Sequence, residues 1–483
     1  MLRVIVTGGG IAALETLAGL ATLAPGRVEA TLVAPVRDFS YRPLSTAAPF
    51  TRLGRRTRAL ADLASELGAR HVRDGLADVD CGRGRVLTHD GAFLGYDALV
   101  VAVGARRREH AGGGWAWHGD DQSTAAFGGL LRELEDGEVD RVAFVVPAGP
   151  AWPVDAYELA LVAALAAGRG PGARITLVTA ESAPLEAFGS AAAEAVAGEL
   201  ADAGVELRTG TEVAGERRAE EAGRDAYSAM VSRVATRPGE EAEGISLVLS
   251  TGRSLRVDRA VFLPSVLGPF TGGLQHDERG FLPVDEHGRV AGSETVHAAG
   301  DVTQLSLKHS SLAAAQGAAV AESLAALAGA EVEPSPWSPL LHGLLMLPPH
   351  FAAERGSPWL PDGEPLTHCL WWPPGHVAGP RLGPLLARRD PGLRPRLEWH
   401  PNGIPLTVSA GSVASAGSGP PGHEPSEEAA RNDSILRQLL ALRRAEREGE
   451  ALDHELERRR GEFDRMRDEV VARLEAAGYL SHD

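Results

Sequence analysis

The sequence predicts an α/β fold of two Rossmann-like domains, the first interrupted by the second, followed by a C-terminal α+β cap and a long C-terminal helix. Three observations carry this prediction. The chain opens on an apolar run, a glycine turn and an Ala/Leu-rich helical run; the pairing of apolar run and glycine returns near residues 104 and 300; and a charged, heptad-like segment closes the chain behind a Gly/Ser/Pro-rich stretch.

A chain of 483 residues exceeds one small domain, and about three folding units are expected. Hydrophobic residues at 44% and charged residues at 23% are enough to bury substantial cores. The 48 basic and 65 acidic side chains leave a formal charge of -17, which repels nucleic-acid phosphates, so no nucleic-acid partner is expected. Nearly all the positive charge is arginine, and Lys308 is the single lysine. Cys81 and Cys369 are the only cysteines, which excludes a disulfide framework and a cysteine zinc cluster, and the histidines show no metal-ligand spacing. This usage fits a reducing, cytoplasmic compartment. The chain opens directly in a strand-like run without a charged leader, and no stretch reaches the ~18 apolar residues of a spanning helix. A peripheral contact at the inner face of a membrane is the most that is expected.

Taken in order, Arg3, Val4, Ile5, Val6 and Thr7 read as a strand. Gly8, Gly9, Gly10, Ile11, Ala12 and Ala13 follow as a turn opening a helix that runs to about Leu23. Gly8 permits the tight turn, Gly10 lets backbone approach a diphosphate, and Ala13 is small enough for the helix to pack on the strand while its first amides face the anion. A second strand spans 29–35. The acid that should end it, for an adenosine ribose, is missing: Ala34 and Pro35 hold its place and Asp38 lies just beyond. Residues 96–105 read as a buried strand running through Ala102 and Val103 to Gly104. Residues 141–146 and 174–179 supply two strands of the second domain. Between them Pro147, Ala148, Gly149, Pro150, Ala151, Trp152 and Pro153 stand where backbone amides should cradle a pyrophosphate, and proline donates none. The second domain is therefore expected to keep its architecture without a backbone phosphate cradle. Residues 295–301 return to an apolar strand ending in Gly300 and Asp301, and an Ala-rich helix follows from about 311 to 327. Residues 326–415 are rich in Pro, Trp and Leu, 409–427 read as a flexible linker, and 428–480 read as one helix with Ile435, Leu442, Leu456, Phe463 and Val470 at seven-residue multiples.

The segments around residues 8–13, 99–104 and 295–301, in this order, resemble the pyridine nucleotide-disulfide oxidoreductase superfamily. Phe39, Ser40, Tyr41, Arg42, Pro43 and Leu44, Lys308 within 305–311, and Trp371, Trp372, Pro373 and Pro374 are similar to its sulfide:quinone oxidoreductase and type II NADH dehydrogenase branch. The resemblance implies FAD as cofactor. It carries cofactor contacts onto Gly8, Gly9, Gly10, Ile11, Ala12, Ala13, Pro35, Arg42, Leu76, Ala77, Ala102, Val103, Gly104, Gly300, Asp301 and Lys308, with Lys308 near the flavin pyrimidine and the acceptor pocket. It also implies an FAD-binding domain split between 1–130 and 261–328 and interrupted by an NAD-type domain at 131–260, whose proline-filled turn is expected to leave NAD(P)H binding weak or absent. An acceptor-side domain at 329–408, the linker at 409–427 and a helical tail at 428–483 complete the chain. Two departures matter. Val103 replaces a threonine of the family pattern, and Trp152 and Pro153 stand where the sulfide:quinone branch has a redox cysteine, so sulfide oxidation is not carried over.

Lys308 and His309 are the expected catalytic residues. A cation held in a dry pocket can stabilise an anionic reduced flavin, and a histidine titrating near neutrality can supply a proton; the competing reading of Lys308 is a solvated residue at a helix start. Arg42 either pairs with a cofactor phosphate or faces solvent, while His376 is a second candidate proton donor and Cys369 a minor redox candidate. Two functions stay open. One is an FAD-dependent oxidoreductase moving two electrons from a small-molecule donor to a quinone or another acceptor. The other is a degenerate flavoprotein scaffold that recruits a partner, or a second copy of itself, through the C-terminal helix.

Overall fold

The computed structural model describes residues 1–41, 56–107, 114–168, 170, 172–218, 244–337, 341–346, 379–389 and 403–408. Two five-stranded parallel sheets form its frame. In the first, the spatial order is Val296–Ala298, Ala98–Val101, Leu2–Thr7, Val28–Val33 and Ala69–Val72. Numbered along the chain this is 5-4-1-2-3. The second sheet, ordered Trp115–Ala116, Arg259–Phe262, Arg141–Val146, Arg174–Thr179 and Glu206–Arg208, repeats 4-1-2-3. Only its outermost strand differs, because the chain supplies it on entry rather than on exit. The crossing from one sheet to the other thus lies between Val101 and Trp115, ahead of the expected boundary at 130.

Each sheet carries a three-stranded antiparallel meander before its fourth strand. In the first sheet the meander is Leu76–Asp80, Arg85–Thr88 and Phe93–Gly95, and in the second it is Val213–Arg218, Ile245–Leu249 and Ser254–Val257. The central strands are apolar because both faces are covered, as parallel sheets require; Val4, Val6, Leu99, Val142 and Phe144 are all fully buried. The two strands that carry the chain between the sheets, Arg106–Arg107 and Val266–Leu267, pair antiparallel.

One face of the first sheet is covered by two helices, Ile11–Leu23 and Ser310–Leu327, packed along each other. Their contact is made by small residues. A Cβ added at Gly317 would sit 2.6 Å from the Ala12 carbonyl oxygen, and one at Gly19 would sit 2.3 Å from the Ala321 methyl, so neither glycine can be enlarged without separating the helices. The Thr16 hydroxyl donates across the seam to the Gly317 carbonyl at 3.1 Å. Beyond the second sheet, Leu341–Met346 and Gly403–Val408 form an antiparallel ribbon beside helices Val154–Ala167 and Ser190–Asp202, while helix Leu382–Arg389 lies against Ile11–Leu23. Among the described residues no helix is long and apolar enough to cross a membrane.

Candidate functional site

In a parallel sheet every strand points its carboxyl end the same way, and ligands collect at that edge. The register of the first sheet places Thr7 beside Val33 and Val101, and Val101 beside Ala298. The residues that leave these strands are Gly8, Ala34, Ala102 and Ala299. They are laced together by backbone hydrogen bonds from Gly8 to Val33 at 2.8 Å, Ala34 to Val72 at 3.1 Å, Ala102 to Thr7 at 2.8 Å and Ala299 to Val101 at 3.1 Å. Residues 8–13, Pro35, 102–104 and 300–301 therefore gather at one edge. Leu76 begins the meander that follows Val72 and packs on the adjoining apolar core, with Ala77 exposed beside it.

Gly8 is glycine because its φ is +107° and because a Cβ there would meet the Ala102 carbonyl oxygen at 2.1 Å. Gly10 differs. It precedes helix Ile11–Leu23 in an extended conformation, is exposed, and has no atom within 4 Å of the position its Cβ would take. The helix has no side-chain cap and no acid in its first turn, so its leading amides are left for an external anion. An open cradle, free amides and the absence of a competing carboxylate fit the diphosphate of a dinucleotide.

Gly300 brings the second segment to the first. At φ +86° its Cβ position lies 3.1 Å from the Ala12 methyl and 3.4 Å from that of Ala313, between the two helices. Gln316 fixes this turn: its Oε1 accepts from the Gly300 amide at 2.7 Å, and it also pairs with the Thr303 hydroxyl. Burial pushes the Asp301 carboxyl up, opposed by the charges of Lys308 and Arg107.

Lys308 is buried rather than solvated. Its ammonium donates to the carbonyls of Asp301 at 3.0 Å and Thr303 at 2.7 Å, and lies 3.9 Å from the centroid of the Phe281 ring. Desolvation lowers its pKa from 10.5 to about 8, against the pull of Asp301 and Asp277. His309 caps helix Ser310–Leu327: its Nδ1 accepts from the Ser311 amide at 3.2 Å and lies 2.7 Å from the Ser311 hydroxyl. Its ring stacks on Trp152 at 4.1 Å.

That stack joins the two sheets. Ala151 forms a parallel bridge with Leu307, exchanging backbone hydrogen bonds of 3.2 Å with Ser306 and Lys308. The turn before helix Val154–Ala167 is thus tied to the loop that opens helix Ser310–Leu327, and Trp152 wedges between His309 and Phe188. Asp155, in the first turn, accepts from the Trp117 indole at 2.9 Å and from Trp152; burial raises its pKa to about 6. Asp155 thus puts an acid in the first turn of this helix, where Ile11–Leu23 has none. Farther along, Glu181 follows the strand Arg174–Thr179 and is held by the Tyr157 hydroxyl at 2.7 Å and the Thr179 hydroxyl at 3.0 Å.

Asp155, Glu181, Gln316 and Glu15 were not singled out from the sequence. Glu15 carried a signal, being the one charge in the run 11–23, and it lies fully buried beside Arg381 and Leu382. Arg42, Cys369, Trp371, Trp372, His376, the linker and the helical tail lie outside the described residues. Cys81 is exposed, and among the described residues no group of His, Cys, Asp or Glu is arranged to hold a metal.

A family model described as pyridine nucleotide-disulphide oxidoreductase matches residues 2–317. An NADH dehydrogenase-like protein of Mycobacterium tuberculosis strain H37Rv is 30% identical over 325 residues, covering 62% of this chain and 73% of that protein. Its counterpart in strain CDC 1551 is 29% identical over 324 residues, with the same shares. Among solved structures, sulfide:quinone oxidoreductase of Aquifex aeolicus superposes with a TM-score of 0.54 at 18% identity, covering 67% of this chain and 76% of that one, a likeness of fold. None of these likenesses supports the alternative reading of an interaction scaffold.

Proposed function

The chain belongs to the pyridine nucleotide-disulphide oxidoreductase family, and from that premise we propose that it is an FAD-dependent oxidoreductase passing two electrons from a small-molecule donor to a quinone or another small acceptor. The proposal rests on the contact of Gly300 with Ala12, which unites a free helix start with a half-buried acid and a buried cation. When bound, FAD supplies the two-electron chemistry. Residues 8–13 hold its diphosphate through backbone amides, Gly104 leaves open space at the same edge, and Asp301 accepts a ribityl hydroxyl. Lys308, mostly charged at neutral pH and shielded from water, stabilises negative charge that develops nearby. Because Nδ1 of His309 accepts an amide hydrogen bond, the proton of its neutral ring sits on Nε2.

NAD(P)H binding is weak or absent in this reading. Trp152, Pro147, Pro150 and Asp155 remove the amides, the room and the electrostatic vacancy that a second diphosphate needs. We assign the tail at 428–483 to a protein contact, either a second copy of the chain or a partner.

Purified protein is expected to carry the flavin absorption band. Anaerobic photoreduction followed by mixing with a quinone should restore that band, and NADH or NADPH should reduce the oxidised protein poorly. A colourless protein that refuses FAD would overturn the cofactor assignment. Rapid stoichiometric bleaching by NADH would overturn the reading of the second turn.

A further inference from the structure

Glu15 is unusual for its place: a carboxylate with no exposed surface, one turn into the helix that begins at the glycine cradle. Its partners come from the far end of the chain. Oε2 accepts from the Leu382 amide at 2.8 Å and Oε1 from the Arg381 amide at 3.2 Å, so a side chain of the first helix caps the helix Leu382–Arg389. Gly379 makes the approach possible. At φ +83°, it is pressed so closely on the carboxylate that an added Cβ would lie 2.2 Å from Oε2. Arg381 spans the junction, 3.9 Å from Glu15 and 3.7 Å from Glu322 on the helix Ser310–Leu327. Leu382, Leu385 and Leu386 are buried in the same core as Leu14 and Leu17.

We propose that Glu15 is the docking point that clamps residues 379–389 onto the cradle-bearing helix, and that the clamp tightens as pH falls through neutrality. This goes beyond the redox reading above and does not depend on it. Among the described residues, the charged groups facing Glu15 are Arg381 from the docked segment and, through Arg381, Glu322 from the neighbouring helix; helix Ile11–Leu23 adds no other charge. Burial raises the carboxyl from 4.5 to about 7, and it outweighs the two amides and the guanidinium, which favour the charged form. The direction follows from linkage. An acid whose pKa is higher docked than undocked holds its proton more firmly in the docked state. Docking is then strongest below the undocked pKa, weakens as pH rises toward about 7, and levels off above it.

The test is hydrogen–deuterium exchange of peptides spanning 379–389 in the full chain, corrected for intrinsic rates, between pH 6 and pH 8. Wild-type protection should fall about tenfold across that interval. Glu15→Gln keeps an amide-accepting oxygen without the charge, so it should stay protected with no residual pH dependence. Arg381→Ala, which removes the charge that favours the carboxylate, should move the transition above the wild-type midpoint. Equal wild-type protection at pH 6 and pH 8 would overturn the proposal, as would a Glu15→Gln profile that follows wild type. Glu15→Ala should expose the segment at every pH. Should that variant fold poorly, the Gln and Arg381 profiles still decide the matter.

Discussion

A Cβ at residue 8 has nowhere to go, and this is the firmest residue-scale statement about the site. Gly8→Ala meets both a left-handed backbone and the Ala102 carbonyl, and should cost more than ~2 kcal/mol together with the bound flavin; chemical denaturation and the flavin-to-protein absorbance ratio check it. Lys308 gives a second prediction at this scale. Because the chain holds one lysine, protein labelled with ¹³C-lysine should show a single ε-methylene resonance, titrating near pH 8 rather than 10.5. Its folded pKa is depressed, so the cost of burying the charge is fully present below about pH 8 and is relieved as pH rises toward 10.5; the wild type should gain stability over Lys308→Met across that window. At neutral pH, Lys308→Met leaves the Asp301 and Thr303 carbonyls unpartnered, at ~1–3 kcal/mol each, and thermal melting reads the loss. The glycines were legible in the sequence because their constraint is local: a backbone torsion and a carbonyl at the next strand's end. The surroundings of Lys308 were not, since Phe281 reaches it from a loop 27 positions earlier and no periodicity encodes such a meeting.

Among elements, the turn before Val154–Ala167 behaves as a bolt between the sheets. Trp152→Ala removes the His309 stack and the Phe188 contact and should lower stability by about 2–3 kcal/mol. Its effect on NADH should be small, because Pro147, Pro150 and Asp155 remain; a stopped-flow trace with NADH checks this. The central strands of both sheets were readable from the alternation of apolar runs with glycine turns, the outer strands at Ala69–Val72, Trp115–Ala116 and Glu206–Arg208 and the inner one at Arg259–Phe262 were not, and the prolines of 147–153 already argued against a phosphate cradle. The replacement was hidden. That Asp155 would receive two indole N–H groups depends on Trp117, which arrives from the entering strand 38 residues upstream. Glu15 was hidden for the same reason at greater range, since its amide donors lie 366 and 367 residues away.

At the scale of the whole molecule, one strand order serves twice and the chemistry is divided unequally between the copies. The helix of the first sheet starts on glycines with no acid in its first turn; that of the second starts behind Pro147, Pro150 and Pro153 with Asp155 in its first turn. This asymmetry predicts that an ADP-ribose analogue of the nicotinamide cofactors, which lacks the redox ring, should neither protect the second sheet from exchange nor compete with any electron donor. Exchange mass spectrometry with the analogue in excess measures it. The seam between Ile11–Leu23 and Ser310–Leu327 carries a further consequence, for synthesis. The second sheet has all its strands once Phe262 has been made, whereas the first lacks Val296–Ala298 and the glycine-bearing face of its partner helix until well past residue 317. The segment translated first therefore finishes folding last, and a ribosome stalled between those points holds a complete inner sheet inside an outer one that cannot yet grip its cofactor.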